Sequence, residues 1–282
     1  MPMNTFRTII LLGVLTAIIV AIGGFLGGRT GVILAFGFAL VTNFSAYWFS
    51  APMALKMNGA QPVSREQIPQ LYEIVERLSA KANIPVPQIY VIPTDAANAF
   101  ATGRDPQHAA VAVTEGILQM LNWQELEGVP AHELSHVKNG DILITSIAAV
   151  LASVITMVAH WGMYMGSGDD RERGVNPIFA LALMILAPIA AAIIQFAISR
   201  SREFEADAGG AHLCGNPLEL ADALKDIEDA SYRAPMQSNP AFSSLYIMKP
   251  DPGAMMMRLF STHPPTAERI ARLEAMARKG SV

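Results

Sequence analysis

The sequence predicts an integral membrane protein, mainly α-helical with a small β-element, in which four transmembrane helices carry a cytoplasmic domain. Three observations predict it. Hydrophobic residues make up 52% of the 282 residues and charged residues only 16%, against about 25% charged in an ordinary soluble domain. Four apolar stretches are long enough for a helix to cross about 30 Å of hydrocarbon, which takes about 20 residues. The polar remainder shows helical periodicity with a few short β-branched runs. The net charge of −4 is small and gives no case for nucleic acid. A single cysteine, Cys214, excludes an internal disulfide and a Cys-based zinc cluster, so any metal site must use His and carboxylates. Cys214 itself reads as a small buried hydrophobe.

The first span runs from about residue 6 to 26 and the second from about 31 to 49. The second ends in Tyr47, Trp48 and Phe49, aromatics that favour the membrane–water interface. No small-x-small cleavage site follows the first apolar core, and only Gly27 to Thr30 separate the two spans. A retained hairpin is therefore expected rather than a cleaved signal. The third span is expected at about 142–165, with a buried core helix as the alternative, and the fourth at about 177–199. Arg7, Lys56, Arg65, Lys138, Arg200 and Arg202 stand near span ends on one side. The opposite connections hold Arg29, and Arg171 and Arg173 balanced by Asp169, Asp170 and Glu172. Lys and Arg mark the cytoplasmic side, so both termini and the polar segments are expected there. The expected organisation is a hairpin at 1–50, a first part of the polar domain at 51–140, two further spans at 141–199, and a second part at 200–282.

Within the polar domain, Ser64-Arg-Glu-Gln67 is a capping box. Ile68, Leu71, Ile74, Val75 and Leu78 follow it at helical spacing. Ile84-Pro-Val-Pro-Gln-Ile-Tyr-Val-Ile92 reads as a short or edge strand, being β-branched and bounded by proline. Asn98-Ala-Phe-Ala-Thr102 and Ala109-Ala-Val-Ala-Val113 read as short strands around a turn-rich loop. A helix is expected from near Asn122, ended by Asn139-Gly140. Asp141 is expected to cap the third span's helix. The Pro- and Met-rich segment 231–257 is expected to be a mobile loop. His160, beside Trp161 and Tyr164, is placed at the headgroups; His108 falls in a loop and His212 on a helix.

That helix carries His132-Glu-Leu-Ser-His136. Histidines four apart share one helix face, one turn apart, and can bind one ion. A catalytic zinc takes three protein ligands and leaves a position open. Glu133 is placed to act as general base toward a water activated by the zinc. A third ligand is available in Ser199-Arg-Ser-Arg-Glu-Phe-Glu-Ala-Asp207, just past the fourth span. Glu203 and Asp207 are four apart on one face. Glu203 completes a His₂Glu set, and Asp207 can accept the remaining ring N–H of a ligand histidine. Glu205 points away. The alternative for this stretch is a charged collar where a helix leaves the membrane. One Zn²⁺ per chain is expected.

Four segments together resemble the HtpX family of membrane-bound zinc metalloproteases. They are Asn98-Ala-Phe-Ala-Thr-Gly-Arg104, Ala131-His-Glu-Leu-Ser-His-Val-Lys-Asn-Gly-Asp-Ile142, Ser199-Arg-Ser-Arg-Glu-Phe-Glu-Ala-Asp-Ala-Gly-Gly210 and Ser261-Thr-His-Pro-Pro-Thr-Ala-Glu-Arg-Ile270. The likeness covers nearly the whole chain, span order included. It implies a gluzincin-type metalloprotease domain of the zincin class, a bacterial inner membrane, a stress response in protein quality control, and kinship with the CAAX prenyl-protease. Carried over, it implies His132, His136 and Glu203 as zinc ligands and Glu133 as catalytic base. It implies His263 and Arg269 as residues near the active site, either of which can donate to an oxyanion or hold a substrate carbonyl. Asn98, Ala99 and Phe100 can align substrate backbone by strand addition, or form a plain structural hairpin. Pro130 departs from the family pattern, two residues before the first ligand. It either kinks the helix or restarts it.

The activity so implied is hydrolysis of internal peptide bonds in misfolded or damaged membrane proteins. Membrane-protein and polypeptide substrates and membrane lipid are the expected partners. Two alternatives stand beside it. One is a prenyl-peptide protease, a class that uses more spans around a large chamber. The other is a membrane scaffold that keeps the metal site but has impaired hydrolysis through Pro130.

Overall fold

The computed structural model describes residues 3–165, 199–236, 242–248 and 263–280. The chain enters as a pair of apolar helices, α1 (Met3–Met57), joined by a break at Gly28. Gly28 has a φ of 56°, in the left-handed region that glycine adopts without a Cβ penalty. The pair folds back on itself there, arm against arm. Its arms touch so closely that a Cβ on Gly23 would collide with the carbonyl of Gly31, and Asn43 donates across the pair to Thr16 Oγ1 at 2.8 Å. Phe6–Phe25 and Gly27–Met57 are each long and apolar enough to cross a membrane. Phe25, Leu34 and Phe38 remain exposed along them, a surface that suits hydrocarbon rather than water. The second arm continues through Pro52 to Met57.

A four-stranded sheet follows, in the order β1 (Gln61–Pro62), β2 (Gln88–Ile92), β4 (Ala109–Thr114), β3 (Ala99–Gly103). β2 and β4 are parallel; the other pairs are antiparallel. The strand expected over 84–92 is shorter and is not an edge. Pro85 and Pro87 lack the N–H a ladder needs, so pairing starts at Gln88 and then runs on both sides. The helix expected from the Ser64 capping box also starts late, as α2 (Pro69–Ala82). The Ser64 N–H does donate to Gln67 Oε1 at 2.7 Å. Ile68, however, precedes a proline, which disfavours helical dihedrals; it sits at φ −140°, ψ 70°.

After α3 (Glu115–Met120) come α4 (Trp123–Asn139), α5 (Asp141–Met165), α6 (Arg200–Cys214), α7 (Pro217–Arg233) and α8 (Thr266–Lys279). α4 is the central element, enclosed by α2, α6, α7 and β3. The main core joins Leu71, Val75 and Leu78 of α2 to Leu126, Val129 and Leu134 of α4 and Leu220, Leu224 and Ile227 of α7. The first half of α5 packs on α1 through Ile144, Ile147 and Ala148 against Leu11 and Ala46. The expected fourth span lies outside the described residues, as does the side chain of His160. Cys214 is half-buried at the end of α6 rather than enclosed in the core, and burial pushes its thiol pKa up. The segment 231–257 is not one mobile loop. α7 runs on to Arg233, and residues 242–248 are buried, with Phe242 and Tyr246 wholly so.

Candidate metal centre

The ends of α4 are set by local chemistry. Asn122 Oδ1 accepts from the backbone N–H groups of Gln124 and Glu125, and Glu125 Oε2 accepts from the Asn122 N–H, each at 3.0 Å. This reciprocal capping box satisfies otherwise orphaned donors. Gly140, at φ 71°, closes the other end and donates to the carbonyls of His136 and Val137. Pro130 lies inside the helix, which runs through it without a break. The proline leaves the Leu126 carbonyl without its usual donor. Every residue from Gly128 to Ser135 is buried, so His132 and Glu133 are core positions. α6 crosses this stretch closely. A Cβ on Gly210 would stand 2.9 Å from the His132 nitrogen, and one on Gly209 would collide with Ser135 Oγ.

The close crossing brings Glu203 to the histidines. His132 Nε2 and His136 Nε2 are 3.2 Å apart. Glu203 Oε1 is 3.6 Å from His136 Nε2, and Oε2 is 3.9 Å from His132 Nε2. All three residues offer ligand atoms within 4.8 Å of one another. Two nitrogens bound tetrahedrally to one zinc at about 2.0–2.1 Å lie roughly 3.3 Å apart. The opposite ring nitrogens are held by carboxylates: His132 Nδ1 by Asp207 Oδ1 at 3.0 Å and His136 Nδ1 by Asp141 Oδ2 at 2.9 Å. A carboxylate beside Nδ1 fixes the proton there and leaves Nε2 as a lone pair. Two lone pairs and a carboxylate then face one point, which calls for a cation. The residues therefore fit a divalent metal.

Burial pushes His132 down to about 4. Burial also works against the charged form of His136, but the Asp141 hydrogen bond and the Glu203 and Asp141 charges outweigh it and raise its pKa to about 9. The surroundings of His136 thus hold positive charge strongly. Burial would raise Glu203, yet the charge and hydrogen bond of His263 keep its pKa well below the usual range. Burial raises Glu133 to about 7. Its Oε1 is buried and has no hydrogen-bond partner among the described residues.

Asp207 takes a second role beside orienting His132. Burial would raise its pKa, but Arg269 lowers it to about 2. Arg269 grips it with a two-pronged contact, Nε to Oδ2 at 2.9 Å and Nη2 to Oδ1 at 2.7 Å, and Nη1 donates to the Ile247 carbonyl at 2.8 Å. The expected oxyanion or substrate-carbonyl role does not fit Arg269. Its fork is committed to Asp207 and Ile247, behind the histidine rather than in the cavity. His263 does line the cavity. Its Nδ1 meets Glu203 Oε2 at 2.9 Å, and its buried Nε2 has no partner among the described residues.

Asp141, expected as a helix cap, is instead the orienting carboxylate of His136. Its other oxygen accepts from Asn4 Nδ2 at 2.7 Å, so the first apolar helix touches the metal centre's outer ring of contacts. Carboxylates in this position typically account for about 10–100-fold in metal affinity. Asp141→Asn should therefore weaken divalent-metal binding by about that factor, measured by competition with a chromophoric chelator; unchanged affinity would contradict this role.

The cavity over the centre holds only about 20 Å³, about one water's worth of space. Ser244 to Ile247 form its roof. Ile247 N–H donates to the Ala99 carbonyl at 2.9 Å. Asn98 completes the pairing: its Nδ2 donates to the Met248 carbonyl at 2.9 Å, and its Oδ1 accepts from the Met248 N–H at 3.3 Å. Phe100 packs edge-on against Tyr246, with centroids 5.2 Å apart. Asn98, Ala99 and Phe100, read as substrate-aligning residues, thus hold a piece of this chain. Ala101 is the β3 residue that lines the cavity. Proline content suggested looseness at 231–257; no sequence signal pointed to this docking.

A helix-borne pair of histidines with an adjoining glutamate, met by a glutamate from a second helix, is the arrangement of a metal-dependent peptidase. Residues 65–277 match the family described as Peptidase family M48, and the chain belongs to that family. Among its relatives are the Protease HtpX homologs of Burkholderia multivorans, 50% identical over 280 residues, and of Burkholderia lata, 49% identical over 280 residues, each alignment covering 98% of both chains. The crystal structure of S. mikatae Ste24p shares the fold, with a TM-score of 0.50 at 21% identity. That match covers 86% of this chain and 57% of the other. Family membership makes the chain a peptidase, and the two arms of α1 are each long and apolar enough to cross a membrane.

Proposed function

We propose that this chain is a zinc-dependent endopeptidase of a bacterial inner membrane, facing the cytoplasm and cutting misfolded or damaged membrane proteins. The convergence of the two Nε2 lone pairs and Glu203 beside Glu133, whose Oε1 has no hydrogen-bond partner among the described residues, carries the reading. His132, His136 and Glu203 would hold the zinc. When bound, the metal polarises a peptide carbonyl and makes water more acidic. Glu133 takes a proton from the attacking water and returns it to the leaving amine. Its burial favours a group that holds a proton near neutral pH. His263 lines the same cavity and would contact the bound substrate. Lys56, Lys138 and Arg200 near the apolar segments support the cytoplasmic orientation. The test is cleavage of casein and of a destabilised membrane protein by the full chain in detergent. A chelator should abolish both and added zinc restore them; cleavage that survives complete chelation would overturn the reading.

A substrate strand added to β3 takes the place of Ile247 and Met248. Loosening that pairing should therefore speed cleavage. Ile247→Pro removes the N–H that meets Ala99. One such bond contributes about 0.5–1.5 kcal/mol, so kcat/KM should rise by up to about tenfold. A fall in kcat/KM with unchanged metal content would show instead that the segment helps bind substrate.

A further inference from the structure

A second pocket, of about 260 Å³, opens between the end of α1 and the sheet. Its helical wall includes Trp48 and Ser50; the facing wall includes Tyr90, Arg104 and His108. Ser50 is only 1% exposed, and its hydroxyl has no hydrogen-bond partner among the described residues. A helical serine commonly bonds back to the preceding turn, and a buried hydroxyl left unpaired asks for an occupant. The Arg104 guanidinium carbon lies over the Trp48 ring, 4.5 Å from its centroid. Its Nε meets Asp105 Oδ2 at 3.5 Å, and neither Nη has a hydrogen-bond partner among the described residues. Asp105 is also held by His108 Nδ1 at 2.6 Å, so a guanidinium and an imidazole flank its carboxylate. A guanidinium stacked on an aromatic keeps its N–H fork in plane, the geometry that phosphate oxygens match.

The depth of the pocket points to the source of the phosphate. Tyr47 and Trp48 mark the interfacial end of an apolar segment, where lipid headgroups lie. Phe44 and Phe49 are exposed on the same helix, which gives acyl chains a surface outside the pocket. We propose that this pocket binds a phosphate anion supplied by the headgroup of an anionic membrane lipid. The Arg104 Nη groups donate to the phosphate oxygens, and the Ser50 hydroxyl donates from below. A lipid held there joins α1 to β4, the strand paired with β3 beside the metal centre. This site does not depend on the peptidase reading.

The test is native mass spectrometry of the full chain released from micelles carrying phosphatidylglycerol, diacylglycerol, or inorganic phosphate without lipid. Phosphatidylglycerol should be retained one to one, about tenfold more than diacylglycerol, which lacks the phosphate, as one charge-assisted contact allows. Arg104→Gln should lose that preference, and Ser50→Ala should weaken it severalfold. Arg104→Lys keeps the charge without the fork and should fall between, with unchanged thermal unfolding in all three variants. Equal retention of the two lipids, or full retention by Arg104→Gln, would overturn the proposal. Arg104-dependent binding of inorganic phosphate without preference for the anionic lipid would overturn the lipid source.

Discussion

Glu133→Gln is expected to cut peptide hydrolysis by about 10²–10⁴-fold, the usual contribution of a general base, while metal content stays at the wild-type level. Glutamine matches the shape of glutamate and cannot accept the proton. Glu133 is not one of the three grouped ligands, and its Oε1 has no hydrogen-bond partner among the described residues whose loss would disturb the fold. The measurement is the initial rate of casein cleavage together with metal content on the same preparation. A rate within a few-fold of wild type would remove Glu133 from the chemistry. A lost rate accompanied by lost metal would make it a ligand or a structural residue.

Arg269→Leu should be among the most destabilising single changes in the catalytic domain. Arg269 is 1% exposed and Asp207 is 3% exposed. Removing one partner of a buried pair leaves an uncompensated charge and costs about 3–5 kcal/mol. At about 2–4 °C per kcal/mol for a chain of this size class, the midpoint of thermal unfolding should fall by about 10 °C. Asp207→Leu combined with Arg269→Leu should recover part of that loss, because no lone charge remains. The double variant should still bind zinc weakly, since His132 then lacks its orienting carboxylate. An Arg269→Leu protein that melts with the wild type would show the pair to be dispensable.

What was legible in the sequence was local. Asn122, Glu125 and Gly140 bound α4 by chemistry within a few residues, and the i, i+4 spacing alone puts His132 and His136 together. Glu203 and Asp207 could be found because they repeat that spacing on another helix. Asp141 was legible only as a cap. It lies one residue past Gly140, and the left-handed turn there swings it back to His136, a geometry no periodicity encodes. Its contact with Asn4 spans 137 positions. Pro85, Pro87 and Pro69 shifted element starts, since proline acts on its neighbours' dihedrals and donors more finely than a hydrophobic pattern shows. The docking of 242–248 escaped for a similar reason. Phe242 and Tyr246 find their pocket beside Phe100, and the Asn98 amide mimics a backbone partner, both through long-range contacts. Arg269 had the right neighbourhood but the wrong task, because only the structure shows its fork already engaged by Asp207.

The proposed chemistry requires His132, His136 and Glu203 to hold one zinc between them. Metal content of the gently purified full chain, measured by plasma mass spectrometry after zinc loading and removal of excess, tests it most directly. About one zinc per chain is expected for the wild type and a small fraction of that for His136→Ala and for Glu203→Ala. A wild type that retains no zinc, or variants that retain it fully, would rule out a zinc site at these residues.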